Sequence, residues 1–168
     1  VVTTSSSISE LVKDQKRSTA DRLVNILTVT DAIMLERVKS SMLLLKQRGE
    51  ALGVPSQAEY VTVKTTRARE LMLGSSAQAN NFELVDGLTS VMGGTATLFS
   101  RTGEDYIRVS TNVIKNGERA IGTKLAPSGK AIKEINQRQA YYGAVDILGS
   151  PYLTGYEPMF DGNGQVVG

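Results

Sequence analysis

The chain has 168 residues, 40% of them hydrophobic, and a formal net charge of +2. That length suits one domain with an appended helix, and the apolar fraction is enough to fill a core. Cysteine, histidine and tryptophan are all absent, so serine–histidine and cysteine–histidine catalysis, ordinary zinc sites and covalent c-type haem attachment are excluded as intrachain arrangements. Lysine and arginine (19) nearly balance the acids (17) and gather on no one face, so nucleic acid is not an expected partner.

No run of about 18 apolar residues occurs, so no membrane span is expected within the chain. The opening VVTTSSS has neither a cationic start nor an apolar stretch, and so does not read as a signal peptide. The sequence stops just as 165–167 begins another strand, and the expectation is a piece of a longer protein.

From about residue 6 to 52 the pattern is helical and free of proline and glycine until Gly49 and Gly53. Leu23, Ile26, Leu27, Thr30, Ile33, Met34, Val38, Ser41, Leu44 and Leu45 recur at three- and four-residue steps. Such a rod would be roughly 65–70 Å long, more than a domain of this size needs. Its first half, 8–22, is poor in apolar residues and cannot bury much, which suggests a frayed extension or a stalk that pairs with a second copy. Gly53-Val54-Pro55 ends the rod, because proline disfavours helix at the residue before it.

Residues 60–63 and 70–73 read as short extended segments, and 81–92 as a helix with Phe82, Val85, Leu88 and Met92 on one face and Gly93-Gly94 as its stop. The period then changes from about 3.6 to 2. Strands are expected at 95–101 and 106–113, with a turn at Gly103, and Asn116-Gly117 signals a second hairpin. Pro127-Ser128 opens a short helix that buries Ile132 and Ile135.

The stretch 140–160, AYYGAVDILGSPYLTGYEPMF, reads as two strands folded back through 148–151. Alternation puts Tyr142, Ala144 and Asp146 on one face of the first, and Tyr152, Thr154 and Tyr156 on one face of the second. A row of hydroxyls on an otherwise apolar hairpin suggests the lining of a small polar pocket. Arg108 stands between Ile107 and Val109 in a strand, where a buried guanidinium must find a partner. It is either an edge residue reaching water, Asp146 or Glu104, or a fork for a small carboxylate. Asp146 and Glu157 lack any accompanying nucleophile, metal ligand or phosphate loop, so a hairpin salt bridge to Arg108 or Lys124 is expected in preference to acid–base chemistry.

The words GGTATLF, YIRVSTNV, AIGTKL and YYGAVDILGSPYLTGYEPMFDGNGQVVG closely resemble the extracytoplasmic Cache sensor domains of bacterial methyl-accepting chemotaxis proteins, the single-Cache subclass above all. The resemblance covers about residue 59 to the end. It implies an α+β, PAS-like fold: a five- to six-stranded antiparallel sheet with a long N-terminal helix on one face and a ligand pocket on the other. Residues 1–53 would be the stalk helix and 54–168 the Cache domain, with membrane helices before and after in the parent protein. It further implies a non-enzymatic, cofactor-free sensor on the periplasmic side of an inner-membrane chemoreceptor, dimeric through the stalk. The same module on a histidine kinase or cyclic-dinucleotide protein, or a structural stalk with an empty pocket, are the alternatives.

Related citrate and dicarboxylate sensors carry an arginine and, three residues on, a histidine, both on the ligand. Arg108 matches the first and Thr111 stands in place of the second, which favours a monocarboxylate such as acetate, propionate or pyruvate. Tyr152, Thr154 and Tyr156 match the ligand-facing strand of those relatives, and Tyr142 is a further candidate. The expected ligand site is therefore Arg108, Thr111, Tyr142, Tyr152, Thr154 and Tyr156, with no catalytic or metal-binding residue.

Overall fold

The computed structural model describes residues 3–168, with side chains from Ser9 onward except at Leu27 and Thr28. The serine-rich start and the place of Leu27 in the apolar stripe lie outside the described side chains. The chain divides into two units, Val1–Arg37 and Val38–Gly168.

Helix α1 (Thr3–Leu52) accounts for the first unit and enters the second. In the first unit Leu11 and Val12 are exposed, as the low apolar content of 8–22 led one to expect, and Leu23, Val24, Ile26, Val29, Ile33 and Met34 of the apolar stripe are exposed too, against expectation. Thr19 and Thr30 donate their hydroxyls to the carbonyls of Gln15 and Ile26, four residues back, at 3.0 and 2.8 Å, so their polar atoms are satisfied within the helix.

In the second unit the helical stripe turns inward. Val38, Ser41, Met42, Leu44, Leu45, Arg48 and Gly49 are half-buried at three- and four-residue spacing. Leu44 and Leu45 pack on a core of Val63, Ala68, Leu71, Leu73, Val85, Leu98, Ile107 and Val109. Much of that core comes from a hairpin the sequence had shown only as fragments: β1 (Pro55–Val63) and β2 (Thr66–Leu73), joined by β3 (Ser76–Ala77) into a three-stranded antiparallel sheet. Helix α2 (Glu83–Met92) lays Leu84, Val85 and Leu88 on the same core, and the Asn81 side chain accepts the Glu83 N–H at 3.2 Å where it begins.

Strands β4 (Thr97–Thr102) and β5 (Asp105–Thr111) follow, then the Asn116-Gly117 hairpin of β6 (Ile114–Lys115) and β7 (Glu118–Arg119). Helix α3 (Lys130–Asn136) precedes β8 (Tyr141–Ile147) and β9 (Ser150–Tyr156). The architecture is α+β with antiparallel strands, divided among the described residues into one three-stranded and three two-stranded sheets.

Backbone hydrogen bonds carry the pairing across those divisions. Residues 122–125 run antiparallel to β5: Arg108 N–H donates to the Thr123 carbonyl (2.8 Å), Gly122 N–H to Arg108 (2.7 Å) and Leu125 N–H to Tyr106 (2.8 Å). On the other side Arg101 of β4 donates to the Val167 carbonyl (2.9 Å). Residues 159–161, just past β9, pair with 165–168 through Met159 to Gly168 (2.8 Å) and Asp161 to Gln165 (2.9 Å). The hydrogen-bonded order is thus 122–125, β5, β4, 165–168, and 159–161 leading back into the β8–β9 hairpin.

Alternation along β5 gives this arrangement two different faces. Ile107 and Val109 enter the core beneath α1 and α2. Tyr106 enters a second cluster with Leu125, Ala131, Ile132, Ile135 and Val166, against which Phe99, Tyr141, Tyr156 and Phe160 pack. Arg108, two residues on, lies on this second side.

Candidate functional site

Arg108 is 3% exposed, in a strand that the β-branched pattern of YIRVST drives to the middle of the paired segments. Its guanidinium carbon lies 5.0 Å from the centre of the Phe99 ring, and Phe99 is its cross-strand partner on β4. One terminal nitrogen, Nη1, donates to Thr123 Oγ1 (3.1 Å) and to the Lys124 carbonyl (2.8 Å). Tyr156 lies close as well, so that the phenol and the guanidinium influence each other's ionisation. Burial pulls the guanidinium pKa down, and the Tyr156 hydroxyl offsets part of that effect. Burial pushes the Tyr156 hydroxyl up, and the arginine opposes it. Among the described residues no carboxylate lies within ion-pair distance of Arg108.

The carboxylates expected near Arg108 are elsewhere. Asp146 is exposed, and its side chain accepts the Gly149 N–H at 2.7 Å, closing the hairpin turn. Glu157 pairs with Lys46 of α1 at 3.3 Å, and Lys124 pairs with Asp105 at 3.1 Å. The expected hairpin salt bridge to Arg108 or Lys124 is therefore corrected: the hairpin acid goes to the helix, and Arg108 is left with neutral partners.

Register sorts the aromatic candidates. The β8–β9 turn consists of Leu148 (φ 53°) and Gly149 (φ 90°) alone, while Ser150 and Pro151 belong to β9. A two-residue turn pairs odd positions with even ones: Tyr141 with Tyr156, Gly143 with Thr154, Val145 with Tyr152. Tyr152, Thr154 and Tyr156 do share a face, as expected, and all are half-buried. Tyr156 packs against Phe99 with ring centres 6.1 Å apart, which brings it to the arginine. Tyr141 shares that face and packs on the same cluster. It was missed because the opposite face, that of Tyr142, was taken to line the site.

Tyr142 lies on the opposite face, paired with Gly155 and covering it. A Cβ at Gly155 would fall inside the Tyr142 ring and 3.1 Å from Val38 Cγ1 of α1. Lys39 of α1 sits 5.9 Å over the same ring, and burial followed by the neighbouring Glu157 carboxylate raises the Tyr142 hydroxyl pKa. Thr111 likewise stays apart from Arg108. Its hydroxyl meets Thr97 Oγ1 at 2.7 Å, reaches the Ala96 carbonyl at 3.3 Å and accepts the Val113 N–H at 3.1 Å. An offset of three residues along a strand places it on the side of Ile107 and Val109. The structure thus gathers Arg108 and Tyr156 with Phe99, Tyr141 and Thr123, and leaves Thr111 and Tyr142 on the helix-covered side.

Chemically this is a rigid cation in an aromatic frame. A planar guanidinium stacked on Phe99 presents its remaining N–H groups in one plane, which suits a carboxylate. Among the described residues no cluster of acids, histidines or cysteines could hold a metal ion.

No curated protein and no solved structure matches the chain. A family model described as the Cache 3/Cache 2 fusion domain matches residues 3–168. That description names a fusion of two Cache types where the sequence words had pointed to the single-Cache subclass, and both are Cache domains. The long N-terminal helix and the antiparallel strands agree with it. The chain belongs to the Cache 3/Cache 2 fusion family, and so to the PAS-like Cache domains that serve as extracellular ligand-binding sensor modules.

Proposed function

We propose that this domain is the extracytoplasmic, periplasmic sensor of a transmembrane chemoreceptor in the inner membrane, and that it binds a small monocarboxylate of the size of acetate, propionate or pyruvate at Arg108. The observation that carries the reading is a 3% exposed guanidinium with aromatic and neutral polar neighbours. A buried charge without a counterion costs several kcal/mol, and an incoming carboxylate offsets that cost. The nearby Tyr156 hydroxyl can donate its proton to the acid that the arginine holds. Thr154 and Tyr152 continue the lining along β9, and one charged fork suits one carboxylate better than three.

Because Arg108 is covered, an acid reaches it only when the β8–β9 hairpin moves away from β4 and β5. Binding is then a shift between two positions of the hairpin, which is what a sensor needs. Residues 1–53 act as the stalk and 54–168 as the ligand-binding part. The exposed Leu23, Ile26 and Ile33 of the stalk offer a seam to a second copy in a homodimer. The domain binds and releases its ligand unchanged, without cofactor or catalysis.

Thermal unfolding of the purified chain with acetate, propionate, pyruvate and citrate tests the proposal. At a hundred times its dissociation constant a ligand adds about 2.7 kcal/mol of stability. At least one monocarboxylate should raise the midpoint, and citrate should not. If none of the monocarboxylates shifts it, the carboxylate reading fails and the structural stalk with an empty pocket takes its place.

A further inference from the structure

We infer that Thr123 is a positioning residue for the acid: it holds the Arg108 guanidinium in place when the β8–β9 hairpin leaves it. This deepens the carboxylate reading and rests on it. The contacts of Arg108 fall into two groups that belong to different parts of the chain. Tyr156 is carried by β9 and moves with the hairpin. Thr123 Oγ1, the Lys124 carbonyl and the Phe99 ring are carried by the 122–125 segment and by β4, which are bonded directly to β5. Opening the hairpin therefore removes one group and leaves the other.

The segment that stays is anchored at several points. Gly122, at φ +81°, lies so close to the end of β1 that a Cβ would come 2.6 Å from the Val63 carbonyl oxygen. Thr66 donates to the Gly122 carbonyl at 2.8 Å, and Lys64 holds the Arg119 carbonyl at 2.7 Å and Glu118 at 3.1 Å. The Thr123 hydroxyl itself donates to the Ala120 carbonyl at 2.5 Å. With its one proton committed there, the oxygen can only accept from Arg108, so its orientation is set before any ligand arrives. Nη1 is bound to this fixed edge, and the guanidinium plane turns its other N–H groups away from it. An arginine free to rotate would lose that order on binding, at an entropic cost that a fixed one avoids.

The test compares Thr123→Val and Thr123→Ser by titration calorimetry with acetate, propionate and pyruvate, and by ¹⁵N NMR of the Arg108 side chain. Loss of a hydrogen bond to a charged group should weaken the acid about tenfold in Thr123→Val. Thr123→Ser, which keeps the hydroxyl, should bind within about twofold of the natural protein. The Arg108 Nε signal should broaden or shift in Thr123→Val alone, a change that a loss of packing elsewhere would not produce. If Thr123→Val fails to fold, Thr123→Ala takes its place with the same expectations. Equal affinities in all variants with an unchanged Arg108 signal overturn the inference. If none of the three acids binds the natural protein, the carboxylate reading falls, and the Arg108 signal still decides whether Thr123 orders the guanidinium.

Discussion

Arg119 and Arg108 both stand over phenylalanine rings, and their partners differ in the opposite sense to their burial. Arg119 lies 4.1 Å from the centre of Phe82 and grips Asp86 with two parallel bonds of 2.8 Å, while its Nη1 also donates to the Thr111 carbonyl at 3.1 Å. The two members of that pair keep 32% and 45% of their side-chain surface in water. Arg108 is sealed, stacks on Phe99 and has neutral partners. Water solvates the arginine that has a carboxylate, and the arginine cut off from water has none. An exposed pair contributes little, whereas a buried unpaired charge is expensive. The first is a clasp between α2 and β7; the second, on the proposed reading, is a charge left for a ligand.

The largest expected effect separates these roles. Arg108→Ala should weaken the bound acid at least tenfold, since charge-assisted bonds contribute about 1.5–3 kcal/mol each. Arg108→Lys should recover only part, because an ammonium cannot reproduce the fork. Arg108→Met should leave the ligand-free domain as stable as before or more so, because it removes a buried charge and keeps the volume. A large loss of stability in Arg108→Met, measured by denaturant unfolding, would make Arg108 a structural residue like Arg119.

Next in size is Gly155→Ala. Its new methyl meets the Tyr142 ring and Val38, so overpacking should cost about 1–3 kcal/mol. Adding Tyr142→Ala should relieve much of the strain, and additive losses in the double variant would contradict the close fit. Tyr156→Phe is smaller again: it removes one hydroxyl from the acid and from Arg108, and should weaken binding by about 1 kcal/mol with the fold intact.

The smallest effect belongs to the clasp. Asp86→Asn should cost about 0.2–1 kcal/mol, discounted for its exposure, and should leave acid binding unchanged. The Arg119 hydrogen bond holds the Asp86 carboxyl below its ordinary value. A depressed folded-state pKa adds stability above the unfolded value, and that part is lost as pH falls through the folded one. The natural protein should therefore lose its advantage over Asp86→Asn below about pH 4, and an advantage that grows with acid would refute the assignment.

What the sequence disclosed follows from how its signals arise. The glycine pair 93–94, the Asn116-Gly117 turn and the change of period marked α2, β4, β5 and the β6–β7 hairpin to within a few residues. The β1–β2 hairpin was faint because its turn places Lys64, and no glycine or asparagine, in the left-handed region (φ 55°), and because TRARELML mixes charges with inward-facing Ala68, Leu71 and Leu73. Arg108 was legible as a charge among β-branched neighbours. Thr123 was not, since its bond to Arg108 comes from a pairing with a segment fifteen residues away in the chain. The Tyr142 face was chosen over the Tyr141 face because one residue of parity, set by a two-residue turn, decides which face of β8 joins Tyr152, Thr154 and Tyr156.

Strand β9 has neighbours of two kinds in immediate succession. Tyr156 lies on the arginine side, while Gly155 lies under Tyr142 of β8 beside Val38 of α1, and Glu157, just past the strand, pairs with Lys46 of α1. Successive Cα atoms are held about 3.8 Å apart by stiff peptide units. On the proposed reading, a ligand that displaces Tyr156 therefore shifts its two neighbours as well, and with them the helix-side contacts of this short segment.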